Sequence, residues 1–186
     1  MVTAAFLLAA LLPSALAATG YYTISPAKNA QLCLSASNHN GEALSLVDCN
    51  ADNVVFKYST GSGKLKNVEN NVCADVKDGL QKNKTPIQAW ACSQCNTHQA
   101  FQFTKVDGSD GNNVIRWAGS PYCLDLPDGK AEANATVQIW RCADNNDNQL
   151  WTVAEAINPA ADSKAAWDAA ATKAAVRRHH KAARHH

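Results

Sequence analysis

Residues 122–153 read YCLDLPDGKAEANATVQIWRCADNNDNQLWTV, and this stretch decides the fold because the chain repeats it. Within it, Cys123 is followed two residues on by Asp125. Gln138, Trp140 and Cys142 come next, and Asn148-Gln149-Leu150-Trp151 closes the stretch. Fifty residues upstream, Cys73, Asp75, Gln88, Trp90, Cys92 and Gln99 match Cys123, Asp125, Gln138, Trp140, Cys142 and Gln149 without a gap, and Phe101 stands where Trp151 stands. A shorter third copy lies further upstream, with Cys33, Cys49 and the closing Phe56. There Ser35 takes the acid's place, Ser45 and Val47 replace Gln and Trp, and Val54 replaces the second Gln. A framework of two cysteines and a closing aromatic therefore occurs three times, and the polar set twice. Self-similarity of this period marks a fold built of stacked or symmetric units.

Each copy holds four short segments rich in β-formers, separated by turn residues such as Asn38-His39-Asn40-Gly41 and Asp107-Gly108-Ser109-Asp110-Gly111. In the first copy these are 21–24, 32–34, 43–47 and 56–58. Three copies of four give about twelve short strands, the pattern of an all-β barrel or sandwich. The repeats run over about 19–62, 63–107 and 112–153.

The ends differ in character. Ala4 to Leu12 is an apolar run shorter than a bilayer span, followed by Pro13 and the small-x-small signal Ala15-Leu16-Ala17. Residues 1–17 are expected to be a secretory signal peptide, although no Lys or Arg precedes the run. Residues 159–186 form a basic Ala/His-rich tail, expected to be marginally helical or disordered. It has six Lys/Arg against two acids, net +4, whereas Ala18 to Asn158 has eleven against fourteen, net −3. The near-neutral whole hides a mildly acidic body with a basic tail, so a basic body for nucleic acid is not seen and no nucleic-acid partner is expected. The histidines and arginines from Arg177 to His186 read as a solvated tail, and no metal or cofactor is expected.

Secretion sets the reading of the seven cysteines. In an oxidising compartment they pair, and the repeat suggests Cys33–Cys49, Cys73–Cys92 and Cys123–Cys142. Cys95 is left over: it stays free, exchanges with Cys92, or links two chains into a disulfide-bonded dimer. Asn83-Lys84-Thr85 and Asn134-Ala135-Thr136 are N-glycosylation sequons at matching places ahead of the two Gln-x-Trp segments, where a glycan crowds the pockets.

Trp151, Phe101 and Phe56 persist in the copy that lost its polar set, so they belong to the core, with Trp117. Trp90 and Trp140 vanish together with the acid, which assigns them to a site. Gln99 and Gln149 are open to two roles, in the site or in satisfying backbone groups.

C-x-D, then Q-x-W-x-C, then N-Q-x-W, in three tandem copies, resembles the ricin-B-type lectin domain, the β-trefoil carbohydrate-binding module with a Q-x-W repeat. The resemblance covers roughly residues 21–153 and makes 18–158 the lectin domain. It implies a pseudo-threefold β-trefoil with up to one shallow sugar site per copy, for galactose, N-acetylgalactosamine or polysaccharide. In the third copy it implies that Asp125 accepts hydrogen bonds from sugar hydroxyls and Trp140 stacks on the sugar's C–H face. Asn148 bonds a hydroxyl there, Gln138 lies beside the site and Gln149 holds the acid. In the second copy Asp75, Gln88, Trp90 and Gln99 match, with His98 in place of the Asn, and the first copy is expected to hold no site. The physics of a sugar agrees: vicinal hydroxyls call for charged or amide partners, and the C–H face for a flat ring. A shallow site of this kind gives about millimolar affinity, roughly −4 kcal/mol.

The expectation is thus a secreted lectin, not an enzyme and without membrane insertion. Its two acids sit in different repeats, which speaks against a glycosidase pair. The rivals are a protease inhibitor on the same fold and a cell-wall or surface structural protein.

Overall fold

The computed structural model describes residues 19–61, 63–107, 112–159 and 161. The expected signal peptide, and all but the first residues of the expected tail, lie outside the described residues. Between Thr19 and Glu155 there are twelve strands: β1 (Thr19–Pro26), β2 (Leu32–Ser35), β3 (Ser45–Asp48), β4 (Phe56–Ser59), β5 (Lys64–Asn67), β6 (Val72–Val76), β7 (Thr85–Ala91), β8 (Phe101–Lys105), β9 (Asn112–Trp117), β10 (Tyr122–Asp125), β11 (Gln138–Arg141) and β12 (Leu150–Glu155).

Six of these close a barrel. β1 pairs antiparallel with β4 and β12, β4 with β5, β8 with β9, and β9 with β12. A bridge between Lys64 and Ala100 joins the β5 and β8 ends and completes the ring. Closure leaves the barrel no exposed edge. The other six strands form three hairpins, β2–β3, β6–β7 and β10–β11, one per repeat.

Equivalent residues at the centre of the three hairpins join them in a cycle. Leu44 N donates to Ile87 O (2.9 Å), Ile87 N to Val137 O (3.1 Å), and Val137 N to Leu44 O (3.1 Å). All three side chains are buried. Six barrel strands capped by three hairpins under pseudo-threefold symmetry make a β-trefoil, all-β as the repeat predicts.

The cycle explains why β3 begins at Ser45 although the β-forming run starts at Ala43. Ala43 and Leu44 are extended, but they bond across to β7 rather than back to β2. Leu126 likewise leaves its strand, because Pro127 opens a short 3-10 turn, Pro127–Gly129, and has no N–H to continue the ladder.

Alternation does the packing. In β4, Phe56 and Tyr58 face inward and Lys57 outward. The core holds Phe56, Phe101 and Trp151 at 0–1% exposure, together with Ile24, Leu46, Leu65, Ile115 and Leu124. Trp117 is 4% exposed, and its Nε1 donates to Thr97 O at 3.0 Å. Disulfides join Cys33–Cys49, Cys73–Cys92 and Cys123–Cys142 across separations of 16, 19 and 19 residues. Each closes the start of a cap hairpin onto its end, worth about 3 kcal/mol by restricting the unfolded chain. Cys95 is exposed and unpaired.

Candidate functional site

The hairpin register turns the sequence spacing into geometry. Asp125 lies directly opposite Gln138 and Cys123 opposite Trp140 in β10–β11, and Asp75 and Cys73 face Gln88 and Trp90 in β6–β7. Residues two apart on a strand share a face. C-x-D and Q-x-W are therefore two rungs of one ladder, with the acid and the ring on the same side.

In the third repeat Gln138 Nε2 donates to Asp125 Oδ1 at 2.8 Å. Gln149 approaches from a 3-10 turn, Asp147–Gln149, and its Nε2 donates to Asp125 Oδ2 and to Arg141 O, both at 3.1 Å. Its Oε1 accepts from Ala143 N at 3.0 Å. Gln149 thus bonds the acid and also ties down the loop after β11. Asn148 stands at the pocket wall, where its Oδ1 accepts from Lys28 Nζ at 2.6 Å. Gly129 makes room for it: φ is +67°, and a Cβ there would sit 2.7 Å from Asn148 Oδ1. The result is a pocket of about 390 Å³ lined by Lys84, Asp125, Asp128, Trp140, Asn146 and Asn148, among others.

Asp125 is 4% exposed. Burial pushes its carboxyl above the usual aspartate range, against the hydrogen bonds from Gln138 and Gln149 and the charge of Lys28. A carboxyl whose pKa is raised on folding binds its proton more tightly folded than unfolded. Its contribution to stability therefore falls as pH rises past the unfolded value, and the ionised acid is held at a cost. For a ligand that needs the carboxylate the consequence is opposite. Affinity is expected to fall on acidification at a pH above the ordinary aspartate range, which calorimetric titration of a bound sugar between pH 7 and 4 measures. Unchanged affinity down to pH 4 would show that the charge is not used.

The second repeat has the same ladder but a different clamp. Gln88 Nε2 donates to Asp75 Oδ1 at 3.1 Å, and Asn96 Nδ2 takes Oδ2 at 2.9 Å. Gln99 bonds only backbone, Ala91 O and Ser93 N, each at 3.0 Å. Of the two roles left open to Gln99 it takes the backbone one, and Asn96, from the loop, holds the acid. His98 packs edge-on against Trp117 and lies against Gly79, the counterpart of Gly129. Trp90 is 42% exposed. In the first repeat Ser35 pairs with Ser45 and Cys33 with Val47, so the rungs remain and their chemistry is gone.

One wall of each pocket comes from the preceding repeat. Gly41, Lys84 and Asn134 are equivalent, all with positive φ (90°, 73° and 66°), and donate N–H to Ala89, Ile139 and Leu46 respectively. Gly41 leaves Trp90 open. Lys84 Nζ lies 6.0 Å from the Trp140 ring centroid. Asn134 faces the first repeat. The two sequons are therefore one residue out of register, because Lys84, not Asn83, is the counterpart of Asn134. Asn83 instead lies beside the third-repeat ladder, its Oδ1 accepting from Arg141 N at 2.8 Å.

Sequence reasoning missed Asn96, Asn146, Lys28, Lys84 and the paired Asp78-Gly79 and Asp128-Gly129 turns. The Asn pair and the Asp-Gly pair carried a signal, since both recur at the same fifty-residue offset. The lysines carried none, because they reach in from other repeats.

A buried carboxylate with two carboxamide partners beside a ring and a partly buried amide can bind a small polyhydroxylated molecule. A family model of the ricin-type beta-trefoil lectin domain matches residues 20–151 and again 61–183. The chain belongs to that family. Within this lectin family's fold, the designed threefold symmetric protein ThreeFoil is similar at a TM-score of 0.65 and 20% identity, covering 74% of this chain and 99% of that one. The ricin B-like lectin of Macrolepiota procera, solved with lactose, gives a TM-score of 0.62 at 16% identity over 73% of this chain and 95% of its own. The C-half of an earthworm R-type lectin, solved with GalNAc, gives 0.55 at 16% identity over 74% and 99%. Other similar structures are parts of longer proteins: the chain spans 18% of a mosquitocidal holotoxin and 33% of an endo-β-galactosidase from Clostridium perfringens. No curated protein sequence matches the chain. At these identities the structural likeness carries the fold, and the family match carries the lectin assignment.

Proposed function

We propose that the chain is a secreted, non-enzymatic lectin that binds galactose-type glycans, with its main site in the third repeat. The observation that carries this reading is Asp125, a carboxylate 4% exposed yet lining a pocket with Trp140 and Asn148. Burying a charge is costly without partners, and such acids collect at functional sites. Asp125 accepts from vicinal hydroxyls, Trp140 stacks on the C–H face, Asn148 bonds a third hydroxyl, and Gln138 and Gln149 fix the carboxylate. The second repeat, through Asp75, Gln88, Trp90 and His98, with Asn96 on the acid, is the weaker site. The boundaries follow as 1–17 for the leader, 18–158 for the lectin and 159–186 for the tail. Three disulfides favour an extracellular setting. The absence of chemistry is favoured by the acids' separation, one per repeat pocket.

A glycan array probed with the secreted protein and with the Asp75→Ala, Asp125→Ala double variant tests the reading. Binding to terminal galactosides that is lost in the double variant supports it. Retained binding moves recognition to the loops, as in an inhibitor. For the sequons, a glycan at Asn134 faces the vestigial first repeat and leaves both sites open, whereas one at Asn83 stands beside the third.

A further inference from the structure

A cavity of about 940 Å³ lies outside the repeat pockets. It lies between the β4–β5 hairpin of the barrel and the loop after β7. Lys57, Lys64 and Lys66 line it, with Ser59, Ser93 and Thr97, and none of the described lining residues is acidic. Lys57 and Lys66 are directly opposed across the ladder, and Lys64 lies two residues from Lys66 on the same face. Like charges directly opposite each other on neighbouring strands are destabilising. No carboxylate among the described residues forms an ion pair with Lys57 or Lys66. Lys64 Nζ donates to Asn96 O at 2.5 Å, and burial holds its ammonium below the usual lysine range, against Asp75 and Cys95.

The pseudo-threefold symmetry supplies an internal control. The pair equivalent to Lys57–Lys66 is Gln102–Arg116 in β8–β9 and Thr152–Ser25 in β12–β1. The pair equivalent to Ser59–Lys64 is Thr104–Val114 and Ala154–Thr23. The barrel therefore closes with one cation or none at these places, and the fold does not require three lysines on one hairpin.

We propose that this groove binds the sulfate or carboxylate group of an acidic glycan. Three ammonium groups recognise the anion, while Ser59, Ser93 and Thr97 offer hydroxyls to the neighbouring sugar. The groove shares a wall with the second-repeat site: Asn96 holds Asp75 through its amide and Lys64 through its carbonyl. One glycan chain thus reaches from that pocket into the groove. A nucleic acid fits poorly, because the lining holds no aromatic on which a base stacks. The net −3 body also repels a long polyanion, so a discrete anionic substituent is favoured. The inference rests on the lectin reading for the glycan and on the hairpin alone for the anion.

The test compares the full-length secreted protein with its Lys57→Gln, Lys66→Gln variant, using a sulfated galactan oligosaccharide, its desulfated form and inorganic sulfate as probes. The expected result is about tenfold tighter binding of the sulfated form, abolished in the variant, as befits a few exposed charge pairs. Binding of the desulfated form is expected to be equal in both proteins, which also shows that the variant is folded. Sulfate alone is expected to shift backbone amide resonances of β4 and β5. If neither protein binds the desulfated form while the lysine-dependent preference remains, the pocket reading fails and the groove stands. A preference that survives in the variant, or no response to sulfate and no preference at all, overturns the groove. So does binding of a single-stranded DNA oligomer or anionic vesicles through these lysines when the sulfated oligosaccharide does not bind.

Discussion

Trp151→Ala is expected to destabilise the protein by about 3–5 kcal/mol, the range for removing a large aromatic from a packed core. The ring is fully buried, and its Nε1 donates to Leu124 O at 3.1 Å. The substitution removes apolar contact on the barrel side and leaves the Leu124 carbonyl, on the strand that carries Asp125, without that donor. Against the about 5–15 kcal/mol typical of small domains, a loss of this size removes from about a fifth of the total to all of it. Trp90→Ala is the contrast, because a ring 42% exposed has little transfer energy to lose. Its expected cost is under about 1 kcal/mol, in line with surface substitutions. Urea unfolding of the two variants, followed by circular dichroism, decides it. Equal costs would mean that the split between closing and Gln-x-Trp aromatics has been drawn wrongly.

That split was legible without coordinates. The first repeat keeps Phe56 and both cysteines while losing the acid, the ring and the carboxamides, so framework and chemistry separate by inspection. The twelve strands were legible for the same reason, since every copy spaces its β-formers alike. What stayed hidden is what depends on contacts between repeats. Lys84 and Gly41 hold equivalent places, but each acts on the next repeat's tryptophan, a relation fixed by the central cycle of hydrogen bonds and absent from local pattern. Ala43-Leu44 is extended because of that same cycle. That Asn96 rather than Gln99 bonds Asp75 is a choice between two amides that offsets along the chain do not decide. The three lysines stand at alternate positions on two strands and meet only once the hairpin forms. In the composition they dissolve into a body of net −3.

The remaining large effect separates the two pockets. Asp125→Ala is expected to lower affinity for a galactoside by at least about thirtyfold, because hydrogen bonds to a charged group are worth about 1.5–3 kcal/mol and the carboxylate accepts more than one. Asp75→Ala is expected to cost no more than a few-fold. The acids have the same burial and the same Gln rung, so the difference must come from what surrounds them. At Asp125 the second oxygen is held by Gln149, itself 1% exposed, while Asn148 and Trp140 line the pocket, where the proposed ligand would meet them. At Asp75 it is held instead by Asn96, a partly exposed loop residue, and the proposed ligand would compete with that amide for the oxygen. His98, in the place of Asn148, is turned onto Trp117 and carries no amide. Removing Asp125 also leaves the Gln138 amide without an acceptor, a stability loss of about 1–3 kcal/mol, so titrations belong well below the unfolding temperature. Asn148→Ala, which leaves the carboxylate clamp intact, isolates the ligand contact and is expected to weaken binding by about tenfold. Isothermal titration of the three single variants with one galactoside measures the order. If Asp75→Ala costs as much as Asp125→Ala, the loop amide yields to the ligand and the two repeats are equal partners on a multivalent surface.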